Sequence, residues 1–175
     1  MRATPLTVAA LAAALLLTAC DNGGDEDAAK DGKAGSACQV GEVAVEVGPA
    51  NAAPAAGDTG NVPVTVTNRG GAACTLDGLP GVDLLAGDTA TAVAPDKVAV
   101  ARKTILAKDA STSFTLTYVR GAEGGGQSLA VTKGTIRLPG SDRTQCFTWS
   151  YGAVALKSDG KTPDASVSGF QQSGE

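Results

Sequence analysis

The chain has 175 residues, a net charge of −4 and no histidine. Ser-His-Asp and Cys-His catalysis, histidine metal ligation and the ordinary physiological-pH switch are therefore excluded. The length is that of one domain, the 3% aromatic content leaves the core to Val, Leu, Ile and Ala, and the basic residues, scattered along the sequence, give no nucleic-acid footprint.

Residues 1–19 read as a lipoprotein export signal. Arg2 supplies the positive start, and Val8 to Leu17 is an apolar run too short to span a bilayer comfortably. It ends in Leu17-Thr18-Ala19-Cys20, a bacterial lipobox in which the Cys20 thiol takes a diacylglyceryl group, palmitate-type chains included, and becomes the first mature residue. Each buried methylene contributes about 0.8 kcal/mol, and two acyl chains hold where one is marginal. The competing reading is an ordinary secretory signal, with Cys20 left to pair elsewhere. Residues 20–37 follow as the lipidated Cys20 and an acidic tether, Asp21 to Ala37, rich in Asp and Gly and without apolar periodicity. As a flexible coil it reaches about 23 Å. Its Asp spacing is similar to a calcium loop, but Ala29 stands where an oxygen ligand belongs, and no terminal Glu follows.

A folded domain is predicted over residues 38–170, with residues 171–175 as a C-terminal tail. Val43, Val45 and Val47 alternate with polar or small residues as a first strand. Gly48 to Gly60 is a Pro/Ala/Gly loop. The stretch from Val62 to Val82 organises the rest of the domain: Val62, Val64 and Val66 form a strand, Asn68-Arg69-Gly70-Gly71 reverses it, Cys74 and Leu76 come next, and Gly78-Leu79-Pro80-Gly81 turns the chain again into Val82–Leu85. Gly87-Asp88 makes a further turn. Val98, Val100 and Ile105 suggest extended pieces around the polar Ala101-Arg102-Lys103. Ser113 to Arg120 is the clearest late strand, Gly121 to Gln127 a loop, Thr135 to Leu138 another strand, and Thr144 to Tyr151 a strand with Phe147, Trp149 and Tyr151 on one face. Val154 and Leu156 add a last one. Short strands between turn signals, with no helix after the export signal, predict an all-β, antiparallel immunoglobulin-like β-sandwich of about 7–9 strands.

Chemical constellations are sparse. Gly124-Gly125-Gly126 lacks the lysine-hydroxyl pair and helix of a phosphate cradle. Asp83 with Asp88, or Asp77 with Asp83, are the candidate carboxylate pairs, with surface solvation as the simpler reading. No Ser sits in a Gly-x-Ser-x-Gly elbow. Trp149 and Tyr151 read as core filler, with a sugar- or peptide-stacking platform as the alternative. No catalytic residue, cofactor or metal site is expected. With Cys20 lipidated, Cys38, Cys74 and Cys146 remain, an odd number, and loop-closure entropy does not choose among the three pairings. Cys146 lies out of phase with Phe147, Trp149 and Tyr151. It is expected either as an outward free thiol, open to labelling and to a disulfide-linked dimer, or as an inert small hydrophobe covered on both faces, with pairing to Cys38 or Cys74 as a third reading.

The segment Thr65-Val66-Thr67-Asn68-Arg69-Gly70-Gly71-Ala72-Ala73-Cys74-Thr75-Leu76-Asp77-Gly78-Leu79-Pro80-Gly81 resembles the family of secreted actinobacterial domains called domain of unknown function 4232. Thr67, Asn68, Cys74, Gly78, Pro80 and Gly81 fit its pattern; Leu79 stands where an aromatic is common, and Lys108-Asp109 replaces a Pro-Gly turn. The resemblance spans roughly Cys38 to Phe170. It implies a disulfide between Cys38 and Cys74, the two cysteines that members often carry, and supports fold and location without an activity.

The functional expectation is a lipid-anchored protein on the outer face of the cell membrane. Its non-catalytic module binds a protein, peptide or glycan of the cell envelope and no nucleic acid. The alternatives are an envelope enzyme using carboxylates or Cys146, and a structural spacer of an envelope complex.

Overall fold

The computed structural model describes residues 35–51 and 53–172. The export signal, Cys20 and most of the acidic tether therefore lie outside the described residues. Fourteen strands and no helix occur among those described. They are β1 (Val43–Val47), β2 (Thr59–Asn68), β3 (Cys74–Gly78), β4 (Gly81–Ala86), β5 (Thr89–Ala92), β6 (Ala94–Pro95), β7 (Arg102–Leu106), β8 (Ser111–Val119), β9 (Ser128–Leu129), β10 (Lys133–Arg137), β11 (Thr144–Thr148), β12 (Val154–Ala155), β13 (Ala165–Val167) and β14 (Gln171–Gln172).

One sheet runs β1-β2-β8-β13-β6, with β14 also on β8; a second runs β11-β10-β4-β5; β3–β7 and β9–β12 are two-stranded ribbons. The pairings are antiparallel except β6 with β13. The period-two pattern sets which side chains turn inward: Val62, Val64 and Val66 of β2 and Phe114, Leu116 and Tyr118 of β8 do so, and Val82, Leu84 and Ile136 of the second sheet meet them in one core. The fold is an all-β, sandwich-like one, as its sequence predicts, cut into more and shorter strands.

Two glycines admit aromatic rings to that core. Gly60 stands across from Tyr118 and Gly134 across from Phe147. A Cβ at Gly60 would lie 2.4 Å from the Tyr118 ring, and one at Gly134 2.3 Å from that of Phe147. Each glycine is a space filled by its cross-strand neighbour.

The boundaries shift at both ends. Ser36 and Cys38 already exchange backbone hydrogen bonds with Thr75, so the fold begins within the last residues assigned to the tether. Gln171–Gln172 pair with Thr112 and Ser113, so it also takes in the first residues assigned to the tail. Val98 and Val100 are not in a strand, whereas the polar Arg102 and Lys103 are; β7 is set by its pairing with β3 and not by its own pattern.

Candidate functional site

The motif residues between β2 and β4 are structural. Asn68 is 1% exposed. Its Nδ2 donates to the carbonyls of Ala72 at 2.8 Å and Leu106 at 3.0 Å, and its Oδ1 accepts from Gly70 N–H at 2.9 Å. One amide thus ties the β2–β3 turn to the end of β7. Beside it, the hydroxyls of Thr67 and Ser111 share a 2.8 Å hydrogen bond. Gly78 has a φ of 135°, in the left-handed half of the map, and its vacant Cβ position faces Pro139. Cys38 and Cys74, both buried, form the disulfide implied by the resemblance, with a Cα–Cα separation of 4.9 Å.

The aromatics are core and not a stacking platform. Trp149 is 5% exposed. It packs edge-on against Tyr118 and Tyr151, with ring centroids at 5.1 and 4.8 Å. Their polar tips are satisfied inside: Trp149 Nε1 donates to Gly152 O, Tyr118 Oη to Tyr151 O and Tyr151 Oη to Gly48 O. Burial raises both phenol pKa values above the ordinary tyrosine range.

The candidate carboxylates take separate roles. Asp83 turns to Arg137, Oδ2 to Nη2 at 2.9 Å. Asp77 belongs to the β3–β7 ribbon opposite Lys103, and Asp88 lies in the β4–β5 turn. No group of three or more His, Cys, Asp or Glu suited to a metal occurs among the described residues. Gly124 to Gly126 close a loop by turns, Gly125 N–H donating to Ala122 O and Ser128 N–H to Gly125 O, without a helix to aim at a phosphate.

Cys146 requires a correction. It pairs with Thr135, which in turn pairs with Asp83. That row faces away from Phe147, as the phase of the strand implies. However, Cys146 is half-buried and disulfide-bonded, and no cysteine among the described residues is free. The open thiol and the dimer bridge expected of it do not apply.

The surface feature that sequence reasoning missed is the stretch from Lys97 to Lys108. Its sequence, Lys97-Val98-Ala99-Val100-Ala101-Arg102-Lys103-Thr104-Ile105-Leu106-Ala107-Lys108, holds four cations and no acid. Val98, Val100 and Ile105, at 82%, 61% and 67%, are the exposed large hydrophobics of the described residues. All four cations are exposed, and the ion pairs of the described residues engage Arg69, Arg120 and Arg137 instead. Asp96 borders the stretch, and Asp77 faces Lys103. An open hollow of about 250 Å³ separates Val98, Val100 and Arg102 from Gly169 and Phe170. The signal that would have found it is a local excess of bases over acids along the chain, in a window as short as this stretch.

An all-β sandwich-like domain, stapled by the Cys38–Cys74 disulfide and carrying a basic, apolar edge, is the class this geometry defines. The model of the family described as Domain of unknown function (DUF4232) matches residues 38–171, and the chain belongs to that family. Comparison with curated proteins and with solved structures gives no match.

Proposed function

We infer that this is a lipid-anchored, extracytoplasmic protein whose non-catalytic β-domain binds a protein, peptide or glycan of the cell envelope. The observation that carries the location is the Cys38–Cys74 disulfide, buried in the core. Such bridges persist in oxidising compartments and are rare in the cytosol. The lipobox ending at Cys20 and the acidic tether supply the anchor and the reach. Binding without catalysis is supported by a chain without histidine and by the packing of its aromatics and of Asp83 into structural contacts.

Fractionation and mass mapping test the anchor: the wild-type chain is expected in the membrane fraction with diacylglyceryl on Cys20, and Cys20→Ala in the medium or as uncleaved precursor. Because a thioether sulfur cannot also be half of a disulfide, a map showing Cys20 in a disulfide overturns the anchor, as does mature, membrane-bound Cys20→Ala. Cross-linking in intact cells tests binding. Discrete adducts with one envelope component, competed by excess domain, are expected, and a chain recovered without adducts overturns it.

A further inference from the structure

The stretch from Lys97 to Lys108 sets exposed valines and an isoleucine among unpaired cations, an arrangement with a cost in water and a use at an interface. Four of the 14 basic residues fall in it, in a chain of net charge −4. It is a run of four cations without an acid, bordered by Asp96 and Asp109 and faced by Asp77, in a chain of net negative charge. Among the described residues its strand β7 pairs with β3 alone, and no described strand takes its other edge.

Position points the same way. Ala37 bridges to Thr75 of β3 in the parallel sense, and Thr75 pairs with Ile105 of β7. The incoming tether thus enters one strand beyond β3, and with strands about 4.8 Å apart, Ile105 lies about 10 Å from it. The antiparallel register puts Leu106, with Lys108 just beyond, at the Cys74 end of the ribbon, the end from which Ser36 and Gly35 lead back to the tether. The Lys108 end of the basic, apolar stretch thus lies at the tether's end of the ribbon, and Val98 and Val100 lie before Arg102, at its Gly78 end.

We propose that the Lys97–Lys108 edge docks on the anionic lipid surface to which the chain is tethered, with Lys97, Arg102, Lys103 and Lys108 at the headgroups and Val98, Val100 and Ile105 inserted between them. The proposal builds on the anchored reading above, and it fixes the domain's orientation: the β3–β7 ribbon faces the bilayer. Exposed apolar side chains beside unpaired cations fit a charged interface, and each lysine or arginine near an anionic surface raises binding about fivefold.

The test uses the mature chain, residues 20–175, carrying Cys20→Ala, so that no acyl chain contributes. Co-sedimentation is measured with phosphatidylcholine vesicles, with and without phosphatidylglycerol. Binding is expected only with phosphatidylglycerol and is weakened by salt. Arg102→Gln, Lys103→Gln and Lys108→Gln together lower the partition coefficient roughly a hundredfold, and Val98→Ser, Val100→Ser and Ile105→Thr together also lower it. These positions are exposed, and unchanged melting curves confirm that the variants fold. Indifference to phosphatidylglycerol overturns the proposal; so does binding that both triple variants retain, which puts the contact elsewhere. A peptide paired to the open β7 edge, with vesicles ignored, is the protein-binding result and equally overturns it. Since the assay contains no lipidated Cys20, failure here leaves the anchor standing, and failure of the anchor is read separately at Cys20.

Discussion

Replacing Asn68 with Asp changes almost nothing in shape and removes the donor of the hydrogen bonds to Ala72 O and Leu106 O. The carboxylate keeps the acceptor for Gly70 N–H. It loses the Nδ2 donor, and an oxygen then faces the carbonyls of Ala72 and Leu106 from 2.8 and 3.0 Å. Two hydrogen bonds at about 1 kcal/mol each disappear, and an unsatisfied buried carbonyl costs about 1–3 kcal/mol more. At a residue 1% exposed, water cannot repair the loss, so about 3–5 kcal/mol is expected. For a domain spanning residues 38–171, the unfolding entropy is about 0.28 kcal/mol per kelvin at the midpoint, which converts 3 kcal/mol to a fall in Tm of about 11 °C. Burial and the facing carbonyls raise the folded-state pKa of the introduced carboxyl above its unfolded value. The variant is therefore least impaired at low pH and loses stability as pH rises through that range. Calorimetry on wild type, Asn68→Asp and Asn68→Ala from pH 3 to about 7 reads both effects against the carboxylate range. A Tm for Asn68→Asp within about 3 °C of wild type, or a penalty that does not ease in acid, refutes the role given to this amide.

Gly60→Ala is expected to destabilise by about 1–3 kcal/mol, because Tyr118 is 2% exposed and its hydroxyl is held by Tyr151. Gly134→Ala is expected to cost less, since the Phe147 ring it meets is half-buried and has room to swing; chemical denaturation orders the two, and equal or reversed costs refute the packing account. Asp159 is held near a pKa of about 2, first by the Thr162 hydroxyl and then by the N–H groups of Thr162 and Lys161. Its contribution to stability is thus complete above its ordinary value of 3.8 and is lost as pH falls through about 2. Thr162→Val raises the Asp159 pKa, measured by carboxyl NMR titration; an unmoved titration refutes the assignment.

What was legible in the sequence was what local pattern controls. β2 and β8 announce themselves because alternate residues are apolar and face one core. The turns after Asn68 and Gly78 are legible because their chemistry demands particular residues. What was not legible depends on partners distant in the chain. β13 and β14 are three and two residues long and exist because β8 offers them an edge. β7 hides behind Arg102 and Lys103 because its outer face is solvent and only Leu106 is buried. The disulfide could not be derived from spacing and came through the family resemblance. The outward phase of Cys146 was readable from its strand, but its bonded state was not, since a partner distant in the chain leaves no trace in local sequence. The basic, apolar edge escaped because cations were weighed over the whole chain, where acids outnumber them.

The placement of β13 and β14 has a consequence for the order of assembly. Both complete β8, and both come from the last residues of the described chain. A chain delivered amino end first presents Cys38 and Cys74, 36 residues apart, long before β8 has its second edge covered. A bridge closed at that stage would hold a half-built sheet, and β8 paired to β2 without β13 and β14 has open backbone groups on one side, available to any stray strand. That edge is the last that such a chain can cover, and until it is covered the domain is open to mispairing with a second copy of itself.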